Sequence, residues 1–408
     1  MKILVWGINY SPEVSGIAPF NTALCEYLVG RGHQVTMLTT FPYYPQWKTS
    51  PEYSGKLAQT ETINGVEVAR VWHYIPRKLS TISRIVHEAT FLLLSFLRVL
   101  QMDKFDIAVV VSPPLGLGFF AWLFSIIKGT PFVFHVQDLQ PDAAVSLGML
   151  EPSRFTRALY KLEALAYAKA ARVSGICGGM TRAYASKGVP PEKIILFPNG
   201  VVVPGPGYFP APGAFRARHH IGPHICVATY SGNLGSKQGL DILLDVAEKL
   251  TDEPIKIVIC GDGGRRKEME QQVSLRKLKN LLMLPLQDEM GYREMQVDTS
   301  ISLITQIAGT GQFFFPSKLL SAMVFRKPVL AVADSTSELA HAVIEANCGR
   351  VVAPGDVDGL ATALMEMRSP EKQLTMGQNG KKWVAQYAFD VVHANFEQEL
   401  LKVVPPSP

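Results

Sequence analysis

The sequence predicts an α/β protein: two Rossmann-like, doubly wound parallel-sheet domains facing across a cleft. Three observations predict it. The chain has 408 residues, more than a single core usually organises. Two passages, Lys2 to Thr40 and Ile225 to Gly263, repeat one order of elements: apolar strand, glycine-containing loop, amphipathic helix, turn, apolar strand. Such alternation marks parallel βαβ units. Between the halves, 11 of the 26 residues from Pro198 to Pro223 are Pro or Gly, a density that breaks helix and sheet and reads as a linker. The domains are therefore placed at residues 1–203 and 204–386, with a terminal helix over 387–404.

The first strand opens the chain at "MKILVWG", a short apolar run that turns polar at once and is no signal peptide. Its loop, "NYSPEVSGIAP", holds Tyr10, Ser11, Glu13 and Gly16; Gly16 permits close backbone approach just before the helix. After the next strand comes "FPYYPQW", where Tyr43, Tyr44 and Trp47 offer flat apolar faces with polar edges, suited to sugar or lipid. The segment Arg77 to Gln101 reads as an amphipathic helix with basic residues at its start, packed on the core or lying on a bilayer. The strand "PFVFHV" ends at His135, followed by Asp138. A His–Asp pair at a strand's carboxyl end suits hydrogen bonding to a sugar hydroxyl, with Asp138 setting the imidazole tautomer.

In the second half, "YSGNLGSKQG" follows a strand. Gly232 and Gly235 let backbone N–H groups approach a phosphate, Lys237 adds charge, and a helix is expected from about Gly239. "GDGGRR", from Gly261, follows the next strand. Neither the G-x-G-x-x-G fingerprint nor a P-loop is spelled anywhere in these loops, which argues against a dinucleotide dehydrogenase. Further on, "QFFFPSKLLSAM" starts a helix with Pro316 in first position. Lys318 then stands in the first turn, where the helix dipole disfavours a cation. An anion at that helix start removes the conflict: free N–H groups, the dipole, Ser317 and the Lys318 ammonium would converge on one diphosphate.

Composition narrows the class. Hydrophobic residues make up 47% and charged residues 18%, enough apolar content for sizeable cores. Met1 to Pro198 carries 19 Lys/Arg against 13 Asp/Glu, the remainder 21 against 22. The positive excess in the first half points to an anionic membrane surface or a phosphate-bearing acceptor. Five scattered cysteines without C-x-x-C imply reduced thiols in the cytoplasm and no zinc site.

Taken together, "NYSPEVSGIAPF", "GRGHQVTMLTTFPYYPQW", "FHVQDLQPD", "PNGV", "YSGNLGSKQGLD", "GDG" and "PSKLLSAMVFRKPVLA" resemble family 4 retaining glycosyltransferases of the GT-B fold, especially those of colanic-acid and related exopolysaccharide pathways. The resemblance spans nearly the whole chain. It implies a nucleotide-diphosphate-sugar donor as substrate, no cofactor, no metal and no nucleic acid. The acceptor would be a glycan, polyprenyl-diphosphate-linked, reached at the inner face of the plasma membrane through the N-terminal domain. By this likeness His135 and Asp138 are catalytic. Gly16, Gly232, Asn233, Gly235, Lys237, Ser317 and Lys318 hold the donor diphosphate. Gly261, Asp262, Leu286 and Ser321 meet base and ribose. Tyr10, Ser11, Glu13, Tyr43, Tyr44 and Trp47 meet the acceptor.

The chain departs from the family pattern in two places. Phe313 and Ser321 stand where two glutamates are usual. Asn233 replaces the usual loop arginine, and Lys237 comes one place before the usual lysine, where Gln238 stands. The missing glutamates leave room for a non-catalytic sugar-nucleotide-binding protein. A sugar-nucleotide epimerase of the same fold is the other alternative, but it would need paired acid/base carboxylates in the cleft, and the sequence offers no persuasive pair.

Overall fold

A computed structural model describes residues 1–78, 80–146, 153–309, 311 and 317–404. Pro316 and Phe313 lie outside them. The chain divides into two compact units, one of residues 1–200 with the segment from Phe389 onward, the other Val201–Ala388.

Unit 1 contains β1 (Lys2–Trp6), β2 (Gln34–Thr40), β3 (Ala58–Ile63), β4 (Val66–Val71), β5 (Ile107–Ser112), β6 (Phe132–Val136), β7 (Arg172–Gly175) and β8 (Ile194–Leu196). They form one sheet in the order β3-β4-β2-β1-β5-β6-β7-β8. All neighbours are parallel except β3 and β4. The central strands are apolar because helices cover both faces; every residue of β5, "IAVVVS", is buried. The edge strand β3, "AQTETI", alternates exposed and half-buried residues instead. It returns to β4 through Asn64-Gly65, both at positive φ, the geometry a two-residue hairpin turn requires. Successive connections diverge at β1 and β5, so the loops after these strands and β6 form the crevice typical of an open parallel sheet.

The terminal helix Phe389–Val403 belongs to unit 1. Phe396 stacks on Phe197 with centroids 3.9 Å apart. Buried Glu397 accepts hydrogen bonds from Tyr27 Oη (3.1 Å) and Arg31 Nε (3.1 Å) and lies 2.9 Å from His33 Nε2.

Unit 2 holds β9 (Cys226–Ser231), β10 (Ile255–Cys260), β11 (Leu281–Leu284), β12 (Ile301–Thr305), β13 (Val329–Val332) and β14 (Gly349–Val352). They form a parallel sheet ordered β11-β10-β9-β12-β13-β14, whose connections diverge at β9 and β12. The Pro/Gly-rich stretch expected to be a linker is mostly integrated here. Phe209 packs on Phe325 at 5.4 Å, Arg293 lies over the Tyr208 ring at 3.7 Å, and Asp298 accepts from Gly213 N and Arg216 N. The boundary accordingly falls at Gly200/Val201, three residues before the expected one. Among the described residues no helix is long and apolar enough to cross a membrane.

Candidate functional site

In unit 2 the residues of interest gather where the connections diverge. The loop after β9 and the loop after β10 are fitted to each other through glycines. Gly232 N donates to Cys260 O (2.9 Å), Leu234 N to Asp262 O (2.8 Å) and Arg265 N to Leu234 O (3.0 Å). A Cβ on Gly261 would overlap the Gly232 carbonyl oxygen, and one on Gly263 would lie 2.7 Å from the Leu234 carbonyl. No other residue type fits either place. Gly232 itself sits at φ +140, and a Cβ there would overlap the Lys318 side chain.

Lys318 therefore lies flat across the Gly232 backbone. It starts the helix Ser317–Val324, which follows β12. Its Nζ donates to Tyr230 Oη at 2.5 Å, sits 4.1 Å from the Tyr230 ring centroid and reaches Gln238 Oε1 at 3.5 Å. The hydroxyl of the fully buried Tyr230 in turn donates a hydrogen bond to Asn233 O at 2.7 Å. Burial, with no carboxylate among its bonding partners, pushes the Lys318 ammonium down to about 8 from 10.5. A cation held this way gains most from an incoming anion, because the anion restores the charge stabilisation that water no longer supplies.

Of the other expected donor residues, Asn233, Lys237, Asp262 and Ser317 are exposed, Gly235 is half-buried, and Leu286 is an exposed apolar side chain on the loop after β11. Lys237 lies in a short 3₁₀ turn, Ser236–Gln238, closed by Gly239 at φ +61. The α-helix begins only at Asp241, two residues later than expected. Ser321, expected at the ribose, has its hydroxyl 2.7 Å from Tyr292 Oη; it fastens its helix to the neighbouring one.

In unit 1 the corresponding side chains are mostly enclosed. His135 is buried, with Nδ1 2.8 Å from Ser174 Oγ and Nε2 2.8 Å from Gln137 Nε2. Gln137 and Asn199 exchange a reciprocal pair of amide bonds, 3.0 and 2.8 Å. The Gln137 amide donates to Nε2, so the ring proton resides on Nδ1 and goes to Ser174. The tautomer is thus set by Ser174 and Gln137, correcting the role expected for Asp138, which follows in the loop after β6. Burial drives the His135 imidazole down to about 3, so it is neutral at physiological pH. A cleft of about 10 Å³, room for about one water, opens beside His135, Gln137, Asn199, Phe389 and His393.

Three acceptor expectations fail on burial. Tyr10 is inside the core next to Cys25. Glu13 is buried: Oε1 accepts from the backbone N–H groups of Tyr43 and Tyr44, both 2.8 Å, and Oε2 from Asn9 Nδ2 at 2.8 Å. It clasps the β2 loop to the β1 loop. Tyr43 is buried too, its hydroxyl 3.2 Å from His87 Nε2. Ser11, Tyr44 and Trp47 keep part of their surface. Gly16, at φ +66, is exposed in the same loop, 3.5 Å from the Tyr44 ring when given a Cβ.

The residues that sequence reasoning missed are Tyr230, Gln137, Asn199 and Ser174. Asn199 stands in "PNGV", a stretch already singled out, but nothing local in the sequence pairs it with Gln137.

Residues 15–200 match the family model described as "Glycosyl transferase 4-like domain", and residues 216–383 match "Glycosyl transferases group 1". A relative in Escherichia coli K12, described as putative colanic acid biosynthesis glycosyl transferase WcaI, is 30% identical over 83% of this chain and 85% of its own length. Among solved structures, sucrose-phosphate synthase from Thermosynechococcus elongatus has a TM-score of 0.74 at 16% identity, covering 98% of both chains. Anabaena HepE, solved with UDP, has a TM-score of 0.70 at 16% identity, covering 98% of this chain and all of its own.

Proposed function

Since the chain belongs to the glycosyltransferases that join a 4-like domain to a group 1 domain, we propose that it is a retaining hexosyltransferase of exopolysaccharide assembly. It takes a nucleotide-diphosphate sugar, needs neither metal nor cofactor, and delivers the sugar to a polyprenyl-diphosphate-linked glycan at the inner face of the plasma membrane. The donor C1–O bond to the diphosphate breaks. The acceptor hydroxyl oxygen bonds to C1 on the same face, and its proton passes to the departing diphosphate. The work asked of the protein is charge stabilisation of a sugar cation and a leaving diphosphate by groups already in place.

The observation that carries the reading is the desolvated Lys318 ammonium laid across Gly232. In this reading Gly16, Gly232, Asn233, Gly235, Lys237, Ser317 and Lys318 hold the diphosphate, while Gly261, Asp262 and Leu286 meet the nucleoside. His135 and Asp138 face the transferred sugar, and Ser11, Tyr44 and Trp47 meet the acceptor. The relative's link to colanic acid and the neighbour's bound UDP support donor class and pathway.

A thermal-shift series with nucleoside diphosphates and their sugars tests the donor assignment, since a ligand raises apparent stability by mass action. Binding by the native chain and its loss in Lys318→Ala are expected; equal shifts in both overturn the assignment. The anomeric configuration of the product, read by NMR against the donor, tests retention. Undiminished turnover in excess chelator tests metal independence.

A further inference from the structure

A buried hydroxyl in unit 2 does work that packing does not explain. Tyr230 lies at the carboxyl end of β9, and its side chain belongs to the apolar core of the unit, with no exposed surface. A phenylalanine would fill nearly the same volume. The hydroxyl is instead the centre of a short chain of hydrogen bonds. It accepts from Lys318 Nζ at 2.5 Å and donates to Asn233 O at 2.7 Å. The same Nζ stands 4.1 Å from the centroid of the Tyr230 ring and 3.5 Å from Gln238 Oε1.

The polarity of this chain is fixed. A phenol has a single proton, and here it is committed to the Asn233 carbonyl. Burial raises the phenol well above its ordinary value, so the proton stays in place. What Tyr230 offers Lys318 is therefore a lone pair and the negative face of its ring. Both favour an ammonium over a neutral amine, and they oppose the desolvation that pulls Lys318 down. The holder is also uncharged. A carboxylate in its place would neutralise the cation and compete with an incoming anion. The tyrosine orients the ammonium and leaves its charge available. Because the phenol proton goes to the backbone of the loop after β9, a single side chain ties that loop to the lysine.

We propose that Tyr230 is a positioning residue of the donor site: its hydroxyl and ring face hold Lys318 Nζ, as an ammonium, over the Gly232 backbone to receive a diphosphate. A lysine carries its charge on a flexible stem. Here the stem lies where a Cβ on Gly232 would overlap it, and the head is held by Tyr230. Gln238 Oε1, from the adjoining 3₁₀ turn, adds a longer contact. Fixing the cation before the ligand arrives removes the cost of ordering it from the binding step. That the anion is the donor's diphosphate rests on the function proposed above; that Tyr230 keeps Lys318 charged and in place does not.

The test is Tyr230→Phe, which keeps the ring and removes the hydroxyl. In the ligand-free full chain labelled with 13C-lysine, the Lys318 resonance is identified by its absence from Lys318→Met and followed by NMR against pH. Its midpoint, about 8 in the native chain, should fall by about one pH unit, the size expected for a lost hydrogen bond to a charged group. Tyr292→Phe removes another hydroxyl, 2.7 Å from Ser321 Oγ on the same helix as Lys318, and should leave that midpoint unmoved. Affinity for uridine and guanosine diphosphate, measured by calorimetry from pH 6 to pH 9, should decline about one unit earlier in Tyr230→Phe than in the native chain. It should approach the native value at pH 6, where both lysines are charged. An unchanged Lys318 midpoint overturns the inference. So does a loss of affinity that persists in full at pH 6, since a merely structural defect has no such pH dependence. A midpoint that moves while Lys318→Met binds both diphosphates as tightly as the native chain overturns the donor assignment, and leaves the hold of Tyr230 on Lys318 standing.

Discussion

The two units have the same parallel-sheet plan and use the carboxyl ends of their strands in opposite ways. In unit 1, side chains at the strand ends are enclosed and already bonded: His135 to Ser174 and Gln137, and Glu13 to the backbone N–H groups of Tyr43 and Tyr44. In unit 2 two loops close on each other through Gly232, Gly261 and Gly263, while Asn233, Lys237 and Ser317 on and beside them remain open to solvent. The difference teaches where each half would take its ligand. A buried, neutral imidazole suits uncharged hydroxyls. A glycine loop beside a desolvated ammonium suits a diphosphate.

The sharpest way to break unit 2's side of the comparison is Gly261→Ala. The new methyl group would overlap the Gly232 carbonyl oxygen, which is backbone and cannot swing aside, so the two loops must separate. A loss of about 3 kcal/mol in stability is expected, at the upper end for overpacking, with nucleoside-diphosphate binding abolished. Chemical denaturation and calorimetric titration check both. Gly264→Ala, where a Cβ meets nothing within 4 Å, serves as the control and should bind normally.

Unit 1 should instead be the acid-sensitive half. His135 and His393 are held down to about 3 and about 4 by burial, against 6.5 ordinarily. Because the folded values lie below the unfolded one, the unfolded chain binds more protons as pH falls. Stability present above about 6.5 is then lost progressively toward 4. Between pH 6.5 and 5.5 each histidine should remove about 1 kcal/mol. His393→Phe, placed among Tyr27, Phe197 and Phe389, should remove one histidine's share of that slope. An unchanged slope by denaturant titration across this pH range would contradict the assignment.

Much of this architecture was legible because buried parallel strands are continuous apolar runs: "PFVFHV" and "IKIVIC" read plainly as such. The β3–β4 hairpin was missed, although "AQTETI" alternates and Asn64-Gly65 is a strong turn signal. In the site, Lys318 could be found because a cation in a first helical turn contradicts a local rule. Its partner Tyr230 could not, since the two are 88 residues apart and a tyrosine ending an apolar strand looks like core. Tyr10, Glu13 and Tyr43 were placed on the acceptor because loop aromatics and carboxylates usually face outward. Whether a loop side chain turns inward depends on the neighbouring loop it meets, here Glu13 on the amides of Tyr43 and Tyr44, and no spacing in the sequence records that meeting.

Lys318 offers the finest discrimination. Substituting methionine keeps the apolar stem over Gly232 and removes the charge. Donor affinity should fall by roughly tenfold or more, as expected when one charge-assisted contact to phosphate is lost. Stability at pH 7 should rise, not fall. The folded ammonium at about 8 lies below the unfolded value of 10.5, so burying the charge costs stability below about 8. That cost is relieved as pH climbs from 8 toward 10.5, and the methionine variant's advantage should shrink over that interval. Native donor affinity should weaken over the same rise, because the free protein then presents a neutral amine to the diphosphate. The variant's affinity should lack that pH dependence. Calorimetric titration at pH 7, 8 and 9 on both proteins decides it: parallel curves would mean that the diphosphate does not meet this lysine.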